Sequence, residues 1–132
     1  MKFFLIISII IFNVIYSSTS FAELKNVAGN SSNTYYIETK SIKKSNGYIY
    51  YWVVNDYTKP DKFGDLSSQN LYETDCKVPL KMKRLAGMFY NGPMATNETT
   101  TTLNAAQIEM QTDLYAPPGS ISELLIDFVC NY

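Results

Sequence analysis

Tyr48–Tyr57 carries the strongest strand pattern in the chain, since nearly all of its residues are aromatic or β-branched. Alternation places Tyr48, Tyr50, Trp52 and Val54 on one face and Ile49, Tyr51 and Val53 on the other. Both faces are apolar, which predicts a central strand covered on both sides. Leu66–Cys76 reads as a further strand, with Tyr72, Thr74 and Cys76 opposing Leu71, Glu73 and Asp75. In Lys81–Tyr90, Leu85 and Phe89 oppose Met82, Met88 and Tyr90. Thr34–Ile37 is a short strand. Turns fall at Ser41–Gly47, which closes on the tight-turn pair Asn46-Gly47, and at Thr58–Asp65, Lys77–Leu80 and Asn91–Pro93.

Two stretches carry little periodicity. Glu23–Asn33 is rich in Asn, Ser and Gly and reads as a mobile leader. Thr96–Tyr115 is mostly polar, although Asn104-x-x-Gln107 suits the cap of a short helical turn. Beyond Pro117-Pro118-Gly119 the period changes. Ser120-x-x-Glu123 is a capping-box signature, and Ile121, Leu124, Leu125 and Phe128 recur at helical spacing. Ile126, Val129 and Cys130 widen the apolar arc, leaving Glu123 and Asp127 as the wet edge. The pattern predicts a helix of about ten residues lying deep against a sheet.

The amino end has a different character. Met1-Lys2 is followed by the apolar run Phe3–Tyr16 and a polar segment with small residues at Ser20 and Ala22. This order predicts a secretory signal peptide over residues 1–22, cut before Glu23. The alternative, a membrane anchor, needs about 20 apolar residues. No cysteine follows the cut to take a lipid. Export would leave 132 − 22 = 110 residues, divided into a leader over 23–33 and one domain over 34–132.

Composition narrows the function. The chain has 11 basic and 12 acidic residues, no histidine and two cysteines. The near-zero charge argues against a nucleic-acid partner. Missing histidine excludes Ser-His and Cys-His dyads and histidine metal sites. In an oxidising compartment Cys76 and Cys130 are expected to pair; a redox or catalytic thiol is the competing reading. The expected fold class is therefore α+β: an antiparallel sheet of five or six strands, with a C-terminal helix packed on it and tied by one disulfide.

Candidate chemistry is sparse. Glu73 and Asp75 share a strand face and suit acid–base work on a glycoside, or simply a solvated face. The other catalytic reading is an enzyme that pairs serine with lysine. Asp56, Asp61 and Asp65 bracket a loop and offer oxygens to calcium, though no EF-hand spacing is present. Lys43-Lys44, or Lys77, Lys81, Lys83 and Arg84 around a hairpin, suit a basic surface for an acidic partner, or edge lysines that prevent strand pairing. The tyrosines suit either a recognition surface or the core. Asn30 and Asn97 stand in glycosylation sequons, relevant only in a eukaryotic secretory pathway. No catalytic group, metal site or cofactor is expected.

Several segments taken together point to a family. Tyr35-Tyr36-Ile37 with Ser41-Ile42-Lys43-Lys44 comes first, then Trp52-Val53 with Asp56-Tyr57-x-Lys59-Pro60. Leu71-x-Glu73-x-Asp75-Cys76, Arg84 and Phe89-Tyr90-x-Gly92-Pro93-Met94 follow, and Pro117-Pro118-Gly119-Ser120 and Val129-Cys130 complete the series. In order and spacing, residues 34–130 resemble the bacterial surface-adhesin protein E family. The resemblance implies the same sheet, helix and disulfide, in a non-catalytic envelope protein. It also implies partners among host extracellular-matrix or serum proteins, and homodimers. The family's named member is lipid-anchored, and here this chain departs from it.

Overall fold

A computed structural model of the chain describes residues 23–109 and 114–132, so the expected signal peptide lies outside the described residues. Among the described residues eight strands form one antiparallel sheet: β1 (Leu24–Gly29), β2 (Asn33–Glu38), β3 (Lys43–Ser45), β4 (Tyr48–Tyr57), β5 (Ser67–Asp75), β6 (Lys81–Tyr90), β7 (Thr99–Thr102) and β8 (Leu114–Tyr115). Six run in the order β1-β2-β4-β5-β6-β7, with short β3 on β4 and β8 on β6. The β3–β4 hairpin turns through Asn46 and Gly47, both at positive φ, as a two-residue turn of matching twist requires. A short helix α1 (Ala105–Glu109) follows β7, and the carboxyl end is helix α2 (Ile121–Cys130).

The core lies between α2 and one face of the sheet. Ile37 from β2, Ile49, Tyr51 and Val53 from β4 and Met82 from β6 meet Ala116 and the helix residues Leu125, Ile126 and Val129. Burying each of the three helix residues contributes roughly 1.5–3 kcal/mol. The cap predicted at the start of α2 forms, with its return bond falling one residue before the N-cap Ser120. Ser120 Oγ accepts the Glu123 N–H at 3.2 Å, and the Glu123 carboxylate reaches back to the Gly119 N–H at 3.3 Å. At the other end a Cys76–Cys130 disulfide, with Cα atoms 5.9 Å apart, ties the last turn to the end of β5. The helix also contacts β1, so the two ends of the domain meet. The cap predicted at Asn104 and Gln107 is reciprocal: each side-chain oxygen accepts the other's backbone N–H at 2.9 Å.

Four readings of the pattern change. Residues 23–33 are not a mobile leader throughout, because Leu24–Gly29 is an edge strand paired to β2. An edge strand needs little apolar sequence, and here only Ala28 is buried while Lys25 and Asn26 face solvent. β4 is covered on one side only. On its other face Tyr48 is exposed, Tyr50 and Trp52 are half-buried, and only Val54 is sheltered. That shelter lies where the turn Pro93–Ala95 packs down: Met94 N–H donates to Asp56 Oδ1 at 2.7 Å and Ala95 N–H to Ser67 Oγ at 2.9 Å. β6 does not alternate evenly. A bulge at Leu85 lets Tyr72 face Arg84 and Leu71 face Ala86, so Met82 shares the inner face with Phe89 and opposes Met88 and Tyr90. Leu124 is exposed, leaving the helix contact to its neighbours.

Candidate functional site

The structure disperses the basic hairpin. Lys77 sits in the β5–β6 turn, and Lys81 and Lys83 are exposed on the outer face of β6. Across the strands these two stand opposite Asp75 and Glu73, so acid faces base along this edge. Asp75 also accepts the Lys77 N–H at 3.0 Å. A hydrogen bond to Glu73, its partner across β4 and β5, holds the Tyr50 hydroxyl above its ordinary pKa, with desolvation adding to the effect. Glu73 and Asp75 are thus engaged in cross-strand contacts. Lys43 and Lys44 are both exposed and point to opposite faces of β3.

The three aspartates are likewise committed locally. Asp61 Oδ1 accepts the N–H groups of Phe63 (2.8 Å) and Asp65 (3.0 Å), closing the loop. Asp65 is buried and accepts the Thr100 hydroxyl at 2.6 Å, while Asp56 holds Met94. Among the described residues no group of three or more carboxylate, cysteine or histidine side chains is placed to hold a metal ion.

Arg84 behaves differently from the lysines. The Leu85 bulge puts it on the inner face, where it lines a cavity of about 240 Å³ between the sheet and the first turns of α2. Val53, Met82 and Phe89 from the sheet and Ile121 and Leu125 from α2 give it apolar lining. Polar lining lies beside these sheet residues: Asn55, Ser68 and Asn70 occupy inward positions on β4 and β5, with Asn70 across from Val53 and Ser68 across from Phe89. Ser68 and Asn70 are buried, and Asn70 Nδ2 donates to Ser68 Oγ at 3.3 Å. Asn55 Oδ1, Asn70 Oδ1 and Arg84 Nε are buried atoms with no hydrogen-bond partner among the described residues. Such atoms cost on the order of 1–3 kcal/mol each when left unpaired.

The guanidinium of Arg84 lies 5.9 Å from the centre of the Tyr72 ring and makes one long contact, 3.5 Å, to the Tyr72 hydroxyl. Burial raises the pKa of Tyr57, which also lines the cavity, although a hydrogen bond with Ser68 opposes the shift. Sequence reasoning missed Asn55, Ser68 and Asn70. The available signal was their phase, since each shares the face of a strand's buried residues.

The fold and site define a small antiparallel α+β domain closed by one disulfide, whose polar concavity lies under its last helix. The chain belongs to the surface-adhesin protein E family, whose model matches residues 23–131. No curated protein and no solved structure matches it.

Proposed function

We propose that this chain is an exported envelope protein that binds host extracellular-matrix or serum proteins and carries out no catalysis. Family membership over residues 23–131 carries this reading. Secretion is supported by the charged, apolar and small-residue order of residues 1–22. Among the described residues no helix is long and apolar enough to cross a membrane. The outer sheet face supplies a surface suited to protein contact: Tyr36, Tyr50, Trp52 and Tyr90 are half-buried there, with Lys81 and Lys83 at its border. A homodimer would use the same kind of surface.

Labelling intact cells with an impermeant reagent tests the location, and binding to immobilised matrix and serum proteins tests the partner. Labelling that appears only after the outer membrane is broken would exclude contact with a host. A second reading, a periplasmic accessory module that binds a small ligand, draws support from the cavity beside Arg84. The related idea of a cell-wall hydrolase inhibitor is tested by titration against lysozyme, where stoichiometric excess without effect removes it.

A further inference from the structure

We propose that the cavity under α2 binds the carboxyl end of an apolar amino acid, with Arg84 as counter-ion; this rests on the small-ligand reading. Three chemical features line the same cavity. Among the described residues lining the cavity, Arg84 is the only charged side chain. Among the described residues its Nε is buried without a partner, and the guanidinium's one hydrogen bond is the long one to Tyr72. A guanidinium carries five N–H donors in a rigid fork that matches a carboxylate. One cation among neutral amides and hydroxyls fits a monoanion better than a phosphate dianion. The first turn of α2, through Ile121 and Ser122, also faces the cavity and favours negative charge there.

The second feature selects among carboxylates. Asn55 Oδ1 and Asn70 Oδ1 are unpartnered acceptors, and Asn70 is 5% exposed. Acceptors lining the same cavity as a guanidinium suit a ligand that carries an N–H donor as well as a carboxylate. An amino acid has this arrangement, and so does the last residue of a peptide. The third feature is apolar lining, from Val53 and Met82 on the sheet and Leu125 on α2, which would take the ligand's side chain.

Size agrees. A cavity of about 150 Å³ already holds benzene, and drug-sized ligands occupy roughly 300–1,000 Å³. At about 240 Å³ this one suits a single residue.

The test uses the exported chain, labelled with nitrogen-15 and titrated with leucine, N-acetyl-leucine and N-acetyl-leucinamide while its amide resonances are followed. Saturable shifts at Ser68, Asn70, Arg84 and Ser122 are expected with at least one of the two carboxylates. The amide is expected to bind at least tenfold more weakly. Stronger binding of N-acetyl-leucine would point to a peptide end and stronger binding of leucine to the free amino acid; either order supports the inference. Arg84→Gln should weaken carboxylate binding about tenfold or more, with Arg84→Lys restoring part of it. Equal binding of the amide and the acid overturns the carboxylate assignment but leaves a small-ligand site standing. No shift at these residues with any of the three overturns both. The comparison of acid with amide needs no variant, so it holds even where a substitution disturbs folding.

Discussion

Replacing both cysteines, Cys76→Ala with Cys130→Ala, should weaken the domain by an amount that follows from chain length. The bridge spans 54 residues of sequence. Closing a loop of that size removes about 14 cal/mol/K of entropy from the unfolded chain, or about 4 kcal/mol at 25 °C. A domain of this length has a total stability of roughly 5–15 kcal/mol, so the variant should stay folded near room temperature with little reserve. With a urea dependence of roughly 1–3 kcal/mol per molar, the midpoint should fall by about 1.5–4 M. The melting temperature should drop by roughly 15–30 °C. Trp52, the single tryptophan, lies on the outer sheet face and reports the sheet by fluorescence, while far-ultraviolet dichroism includes α2. Coincident transitions from the two probes would show that helix and sheet still unfold together. A urea midpoint within 0.5 M of the oxidised parent would refute the loop-closure argument.

Other changes are as readily measured. Tyr51→Phe removes a fully buried hydroxyl that makes no well-formed hydrogen bond among the described residues and keeps the ring, so urea midpoints should be unchanged or higher; a loss above about 1 kcal/mol would contradict this. Burial raises the Tyr51 pKa in the folded state, so the native protein keeps a proton that the unfolded chain releases near pH 10. That contribution is intact below pH 10 and lost above it at about 1.4 kcal/mol per pH unit. Stability curves from pH 8 to 12 should therefore fall less steeply for Tyr51→Phe. Ser67→Ala removes a buried hydroxyl that donates to Gly92 O at 2.6 Å and accepts the Ala95 N–H. Thermal melts should show a loss of about 1–3 kcal/mol, and hydrogen exchange should quicken at Ala95. Ser120→Ala removes the cap of α2 and should cost about 1 kcal/mol in the same melts.

The parts of the fold that were legible were those whose burial repeats at a fixed period. β4 and α2 present buried residues at every second position or along one helical stripe, and their ends are marked by Asn46-Gly47 and Ser120-x-x-Glu123. β1 and β7 stayed hidden for the opposite reason. They are edge strands held mainly by backbone hydrogen bonds, and all four threonines of β7 are exposed. The Leu85 bulge adds one residue to β6 and inverts the phase on one side of it, so strict alternation assigns Met82 to the wrong face. The site suffered most from that inversion. Even alternation groups Arg84 with Met82, Met88 and Tyr90, whereas the bulge brings it to the inner wall with Asn55 and Asn70 from neighbouring strands. The disulfide was legible because two cysteines allow a single intramolecular pairing.

The contact between α2 and β1 also governs when the domain can be completed. In a chain delivered amino end first, β1 arrives earliest among the described elements and α2 latest. Until then Ile49, Tyr51 and Val53 have no cover, and an unfinished sheet with bare edges is prone to aggregate. Joining segments so distant in sequence is slow, and it cannot begin before the final ten-residue helix is present. One late event therefore shelters the core and brings Cys130 to Cys76. The native disulfide is then a chemical record that the last helix has arrived, and a chain interrupted before it would carry an unpaired thiol at Cys76, open to capture by the cell's quality control.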